Sequence, residues 1–376
     1  MKNILISLSI IYMVVFEHFC ILAQNVSYLP LHSETSFDNT TIDINLTPGS
    51  TAGQSSVLNG AAGYSIPLTL PIGTNGIEPE ISISYSSMGG SSNLGYGWGI
   101  SGISVISRKG KNNFYDNTTS PIQYNANDRF YIDGNRLLVV NGTYGSVGST
   151  YAKESEDFSR VTAYGGTAGD PAYFVLETKD GIKYEYGKEF NSRYETTAGV
   201  AMQWYLSKMI YPDGNYIIYK YKTIHNLPGG TTWDEHSIDE IQYTGNTLAG
   251  ILPYATVKFN YLKRTDMSEG YQMGTIIRKG LLVTSIQITS ENQNIRTYDL
   301  YYGYRKGNSY LHEIVEKGSN GGALNATRFK YGNLPTGNET NLVDFPINDD
   351  DDYFPCNLNG DGITDMLNAR RSSSNP

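Results

Sequence analysis

The sequence predicts an all-β protein, and three observations carry that prediction. Gly contributes 40 and Tyr 31 of the 376 residues, a composition rich in turn formers and β-preferring aromatics. Apolar and polar residues alternate with period two in Ile81-Ser82-Ile83-Ser84-Tyr85, Val257-Lys258-Phe259-Asn260-Tyr261 and Ser285-Ile286-Gln287-Ile288-Thr289. Helical periodicity with caps is missing from every twelve-residue window. Charged residues make up only 17% of the chain, too few for a composition-driven disordered protein. A net charge of −9, a sequence pI of about 5.1 and no Lys/Arg block argue against nucleic acid as a partner.

Residues 1–23 read as a secretory signal peptide, with Lys2 as the positive end, Ile4 to Phe16 as the apolar run and Ala23 at the cleavage site. Glu17 and His18 interrupt that run, so it is too short to span a bilayer. The expectation is a secreted, extracellular protein with no stable membrane insertion after cleavage. Signal removal leaves Cys356 as the one cysteine, so no intramolecular disulfide can form and the core must hold the fold. Residues 24–45 form a polar, Asn/Thr-rich lead-in.

From 46 to 338 short β runs are broken by Gly, Asn, Asp and Pro. Five of them place two aromatics on one face: Tyr184/Tyr186, Tyr219/Tyr221, Phe259/Tyr261, Tyr302/Tyr304 and Phe329/Tyr331. Asp180-Gly181 and Pro212-Asp213-Gly214-Asn215 supply turns before two of these runs. The rows read as ladders covering a sheet. The alternative is an aromatic platform for glycans, as in a surface adhesin, and the two differ in whether the rings are buried or open.

Motifs for catalysis are incomplete. Gly97-Trp98-Gly99-Ile100-Ser101-Gly102 matches G-x-G-x-x-G, but Ile103 to Ser107 reads as a strand where a helix must receive the pyrophosphate. His312-Glu313-Ile314-Val315-Glu316 has Glu where the zinc motif needs its second His. Glu78-Pro79-Glu80 and Glu154-Ser155-Glu156 have the E-x-E spacing of ADP-ribosyltransferases without the Ser-Thr-Ser strand. No enzyme activity is therefore expected. The sharpest chemical signal is Asn357-Leu358-Asn359-Gly360-Asp361-Gly362-Ile363-Thr364-Asp365. Oxygen side chains at Asn357, Asn359, Asp361 and Asp365, with the carbonyl of Ile363, suit a calcium ion around the sharp turn at Gly362.

Gly63-Tyr64-Ser65-Ile66-Pro67-Leu68, Gly76-Ile77-Glu78-Pro79, Ile81 to Ser87 and Leu94-Gly95-Tyr96-Gly97-Trp98-Gly99-Ile100 together resemble the SpvB/TcdB amino-terminal family of virulence and insecticidal toxin-complex proteins. Trp204 to Met209 and Tyr219-Lys220-Tyr221 resemble that family's later, Rhs-like strands. The calcium-type loop resembles an FG-GAP/VCBS repeat. The resemblance implies an antiparallel Rhs-like β shell or sandwich-type domain over 46–338, followed over 349–376 by a truncated β-propeller-type repeat. It further implies a non-enzymatic scaffold that encloses or delivers a toxin polypeptide, with other toxin-complex components as partners. In SpvB-type proteins the ADP-ribosyltransferase lies in a separate carboxy-terminal domain, so this chain reads as a truncated product that lacks it.

Overall fold

The computed structural model describes residues 42–58, 60–189, 191–196, 198–225, 234–272, 275–305, 307–332, 351–356 and 365–370. The signal peptide read at 1–23, and the lead-in up to residue 41, lie outside them. The first strands are β1 (Thr47–Ser50), β2 (Gln54–Leu58), β3 (Ala61–Pro67) and β4 (Ser82–Ser86). A short hairpin, β5 (Ser91–Ser92) and β6 (Gly95–Tyr96), leads into β7 (Trp98–Ser101) and β8 (Val105–Lys109). One helical turn, α1 (Asn113–Asp116), precedes β9 (Arg129–Ile132), β10 (Asn135–Asn141), β11 (Thr150–Lys153) and β12 (Arg160–Thr167). Next come β13 (Asp170–Glu177), β14 (Lys183–Tyr186), β15 (Arg193–Glu195), β16 (Ala201–Ile210), β17 (Asn215–His225) and β18 (Asp234–Asn246). The longest strands are β19 (Ala255–Gln272) and β20 (Thr275–Ser290), followed by β21 (Gln293–Arg305) and β22 (Asn308–Gly318). Short strands β23 (Leu324–Asn325), β24 (Thr327–Arg328), β25 (Asp351–Cys356) and β26 (Asp365–Arg370) complete the described chain.

Strands β8 to β14 pair in sequence order, each antiparallel to the next, and β16 pairs with both β14 and β8. The result is a closed ring of eight antiparallel strands. Closure removes the exposed edges that an open sheet would carry. Period-two alternation turns Phe130 and Ile132 of β9, Val161 and Ala163 of β12, and Phe174 and Leu176 of β13 inward, all nearly or fully buried. Phe130, Phe174 and Trp204 meet edge to face with centroids 5.1–5.4 Å apart, the arrangement that aromatic quadrupoles favour. Arg108 lies among them, its guanidinium 5.0 Å from the Trp204 ring, and pairs with Asp170 at 2.8 Å and Asp128 at 3.4 Å.

The ring is where the structure departs from the sandwich-type expectation, and β16 is the reason. Trp204 pairs with Ile106 on one side and Arg193 on the other, whereas Lys208 pairs with Ile218 and Glu185. One ten-residue strand thus closes the ring and also starts a second run of sheet, β17-β18-β19-β20-β21-β22-β24. Alternation specifies which face of β16 is inside; it does not specify which strands lie beside it. In the second run Tyr219, Tyr221, Phe259, Tyr298 and Tyr302 are buried. A smaller sheet, β2-β3-β4-β7, joins the same core through Ile66, Ile83 and Trp98. Parallel pairing of β1 with β23 ties the start of this region to its end. Strands β25 and β26 form a two-stranded antiparallel sheet of their own, and the described residues contain no propeller.

Candidate functional site

The aromatic rows do not form an open platform. Tyr186, Tyr219, Tyr221, Phe259 and Tyr302 are buried, while Tyr304 alone among the paired rings is about half exposed, at 48%. The ladders are core, which removes the observation a glycan platform needs.

The best-defined site centres on the Ser91–Gly99 segment. Gly97 has φ +79°, and a Cβ there would sit 2.5 Å from the Tyr85 ring. Only glycine satisfies both the left-handed backbone and that close approach. The turn sends Trp98 inward, where Nε1 donates to the Tyr331 hydroxyl at 2.7 Å and the indole lies 4.5 Å from Phe329. The G-x-G-x-x-G match runs into strands β7 and β8, so there is no helix N-terminus to hold a dinucleotide.

A buried polar clamp holds the tip of the same segment. Asn93 Nδ2 donates to Glu235 Oε1 at 3.1 Å and to Ser237 Oγ at 2.9 Å, and the Asn93 carbonyl accepts from Val283 N. Glu235 Oε2 accepts from Gly280 N at 2.6 Å. On the facing hairpin, the register of β19 against β20 shifts between Lys263 and Ser268. Such a bulge re-aims side chains. It carries Arg264, which is fully buried, into a two-pronged pair with Asp266 at 2.9 and 2.7 Å and onto the Ser92 carbonyl at 2.9 Å. Asp266 also accepts from Ser309 Oγ at 2.6 Å. Burial pushes the Glu235 carboxyl up to about 7 despite these donors and the nearby Arg264 charge. Burial also pushes the adjacent His236 down to about 4, leaving it neutral at physiological pH. Sequence reasoning missed Glu235, His236, Arg264 and Asp266. One signal was available: Lys263-Arg264-Thr265-Asp266 interrupts the apolar–polar alternation of β19.

Two concavities open beside β7. One, of about 180 Å³, is lined by Leu94, Ile100, Ile103, Tyr205, Tyr221 and His236 among others. The other, of about 620 Å³, is lined by Leu68, Leu70, Glu78, Glu80 and neighbouring residues. Glu78 accepts from Gly73 N within its own loop, Glu154 accepts from the Tyr115 hydroxyl, and Glu156 pairs with Arg160. Glu78 and Glu80 thus line the larger concavity, while Glu154 and Glu156 are engaged in local contacts. His312 is buried against Tyr331, and Glu316 pairs with Arg296. Among the described residues no group of three or more His, Cys, Asp and Glu could hold a metal ion. Of the predicted calcium ligands, Asn357, Asn359, Asp361 and Ile363 lie outside the described residues. Asp365 opens β26 and pairs with Cys356, so a β hairpin brackets the loop.

The sequence profile of the family described as "Salmonella virulence plasmid 65kDa B protein" matches residues 56–252, more than half of the chain. The chain belongs to the SpvB family. This SpvB-family chain is 28% identical over 181 residues to the mono(ADP-ribosyl)transferase SpvB of Salmonella typhimurium, covering 42% of this chain and 29% of that protein. The Salmonella choleraesuis protein of the same name is 27% identical over the same length. The chain thus spans less than a third of the length of these curated relatives, and the transferase region of SpvB lies outside the aligned portion. Among solved structures, the N-terminal domain of effector protein SpvB from Salmonella typhimurium strain LT2 matches with a TM-score of 0.57 and 22% identity. That match covers 67% of this chain and 98% of that domain. TcdB2-TccC3 matches with a TM-score of 0.59 at 18% identity, covering 76% of this chain and 17% of that one. The Photorhabdus luminescens Tc holotoxin pore matches with a TM-score of 0.61 at 18% identity, covering 80% and 17%. Both SpvB and toxin-complex structures therefore share this fold.

Proposed function

We propose that the chain is a non-enzymatic β scaffold of a virulence-related toxin assembly, contacting other toxin-complex components or an enclosed toxin polypeptide. The observation that carries this reading is structural: the aromatic rows and the buried ion pairs serve to hold a large β framework together. Buried tyrosines form the core of the long sheet, Arg108 is locked inside the eight-stranded ring, and Arg264 and Glu235 hold a loop. Membership of the SpvB family and the shared fold with toxin-complex proteins support the same role. Co-expression with a toxin-complex C-type component tests it. A stable complex in which that component resists added protease is the expected result. Two separate peaks on size exclusion, with the component cleaved as fast as when alone, would exclude the scaffold role.

Two further parts of this reading concern regions outside the described residues. Export through residues 1–23 is supported by their sequence pattern, and loss of the first 23 residues should retain the product in the cytoplasm. Calcium binding by Asn357, Asn359, Asp361, Asp365 and the Ile363 carbonyl is supported by their spacing and by the hairpin that brackets the loop.

A further inference from the structure

The small sheet β2-β3-β4-β7 ends on an open edge: among the described residues β2 pairs with β3 alone. All of its residues, Gln54-Ser55-Ser56-Val57-Leu58, are exposed, Val57 at 80% and Leu58 at 72%. Folded proteins commonly guard such an edge with a lysine, a proline or a bulge. β2 has none of these, and its register against β3 runs from Gln54↔Ser65 to Leu58↔Ala61 without a shift.

The partner strand fixes which way the β2 backbone points. Ala62 N donates to Ser87 Oγ at 3.0 Å, and the Ala62 carbonyl accepts from Ser87 N at 2.9 Å, so the Ala62 backbone turns away from β2. Val57 lies directly opposite Ala62. In an antiparallel pair of this kind its N–H and C=O point outward, and alternation gives Ser55 the same direction. These groups form a row along the open edge.

One face of that edge continues into the concavity of about 620 Å³. Gln54 and Ser65, opposite each other in the register, both line it. Pro67, Leu70 and Pro79 supply apolar wall, and Glu78 and Glu80 its charge. Among the described residues no lysine or arginine lines it. A side chain opposite Gln54 on an added strand would sit about 5 Å away on the same face. There an aliphatic stem meets the wall and a cationic head meets the carboxylates.

We propose that the open edge of β2 accepts an extended, basic segment of another polypeptide as a further strand, with a lysine or arginine of that segment beside Glu78 and Glu80. In strand addition the main-chain hydrogen bonds give affinity and the side-chain sites give selectivity. A second copy of this chain fits less well, because its own β2 brings no cation and two chains of net charge −9 repel. The source of the segment rests on the scaffold reading, in which the chain contacts toxin-complex components or an enclosed toxin polypeptide.

The test is fluorescence anisotropy of the purified full chain with a labelled peptide that alternates Thr and Val and carries Lys at both ends. Saturable binding is expected, with slowed amide hydrogen exchange across Gln54–Leu58. The same peptide with its backbone nitrogens methylated should not bind. A version with Glu in place of Lys should bind about fivefold more weakly, the scale of one exposed ion pair. Val57→Pro removes an outward N–H that no internal bond uses, so it should abolish binding and keep the fold. Glu80→Lys should erase the preference for Lys over Glu. The peptide comparisons on the wild-type chain stand even if either variant fails to fold. No saturable binding, equal binding of the methylated peptide, or equal binding of the Lys and Glu peptides would overturn the proposal. A concentration-dependent dimer that Val57→Pro dissolves would overturn it too, by assigning the edge to a second copy. Failure here, with the co-expressed component still protected from protease, removes the edge proposal and leaves the scaffold reading in place.

Discussion

At the scale of single residues, neighbouring groups in the clamp titrate in opposite directions. Glu235 is raised by burial from 4.5 to about 7, so the folded state keeps a proton that the unfolded state has released between those values. Its contribution to stability is therefore greatest below pH 4.5 and declines as pH rises toward 7. His236 is lowered by burial from 6.5 to about 4, so its contribution is complete above pH 6.5 and is lost as pH falls toward 4. Across the shared window the two slopes oppose each other. Relative to wild type, Glu235→Gln should gain stability as pH rises from 4.5 to 7, by up to about 3 kcal/mol. His236→Phe should gain relative to wild type as pH falls from 6.5 to 4. Urea unfolding of the three proteins at several pH values measures both, and a pH-independent difference for either variant would contradict the burial argument. Trp98 is the other decisive residue, since its indole is buried and bonded to Tyr331. Trp98→Ala should cost about 3–5 kcal/mol in the same assay, and Gly97→Val should also destabilise, because that position is both left-handed and crowded. Unchanged unfolding midpoints would refute these roles.

Among the elements, β16 carries the most consequence, since it closes the ring and begins the long sheet. Trp204 sits in its ring half, and its Nε1 donates to the Pro171 carbonyl at 2.9 Å. A Cβ on Gly187, where φ is +76°, would lie 2.4 Å from the Trp204 ring, so the strand end and the indole fit only as they are. Arg108 is the electrostatic counterpart. It is buried with Asp128 and Asp170, it donates through Nε to the Ala201 carbonyl, and burial lowers its pKa against the pull of both aspartates. Arg108→Ala should therefore destabilise by about 3–5 kcal/mol, chiefly by leaving the fully buried Asp128 side chain without its cation. Replacing Asp128 by Asn in the Arg108→Ala background should recover part of that loss, as read from denaturant midpoints. No recovery would mean that the cost comes from lost packing. Tyr184 and Tyr186 of the ring were legible as strand residues from their spacing, but the closure was not. It depends on β16, seven intervening strands further along the chain, coming to lie beside β8, a pairing at long sequence separation that no local pattern specifies.

For the whole molecule, the expected circular dichroism is that of a β protein with negligible helix, and a helical spectrum would reject the fold. Incubation with labelled NAD and host-cell extract should transfer no label, and transfer abolished at Glu78 or Glu154 would show an enzyme after all. Calorimetry should find calcium binding on the order of 10⁻⁴–10⁻³ M, because only Asp361 and Asp365 among the proposed side chains are anionic. Asp361→Ala should remove it and Asn357→Asp should tighten it; a wild-type chain that shows no calcium-dependent heat would end the metal assignment. The sequence by itself determined the all-β class, the shared face of residues in the alternating runs and the likeness to the SpvB family. Each of these is written in neighbouring residues, as period-two alternation or as short motifs in order. Only the tertiary structure decided that the ladders are core, that β16 splits between two sheets, and that Asn93, Glu235, Arg264 and Asp266 meet in one clamp. Those contacts join residues far apart in the chain, as Arg264 and Ser92 are at 172 positions. Their partners are chosen by chain closure and burial, which act through space and leave no periodic mark along the chain.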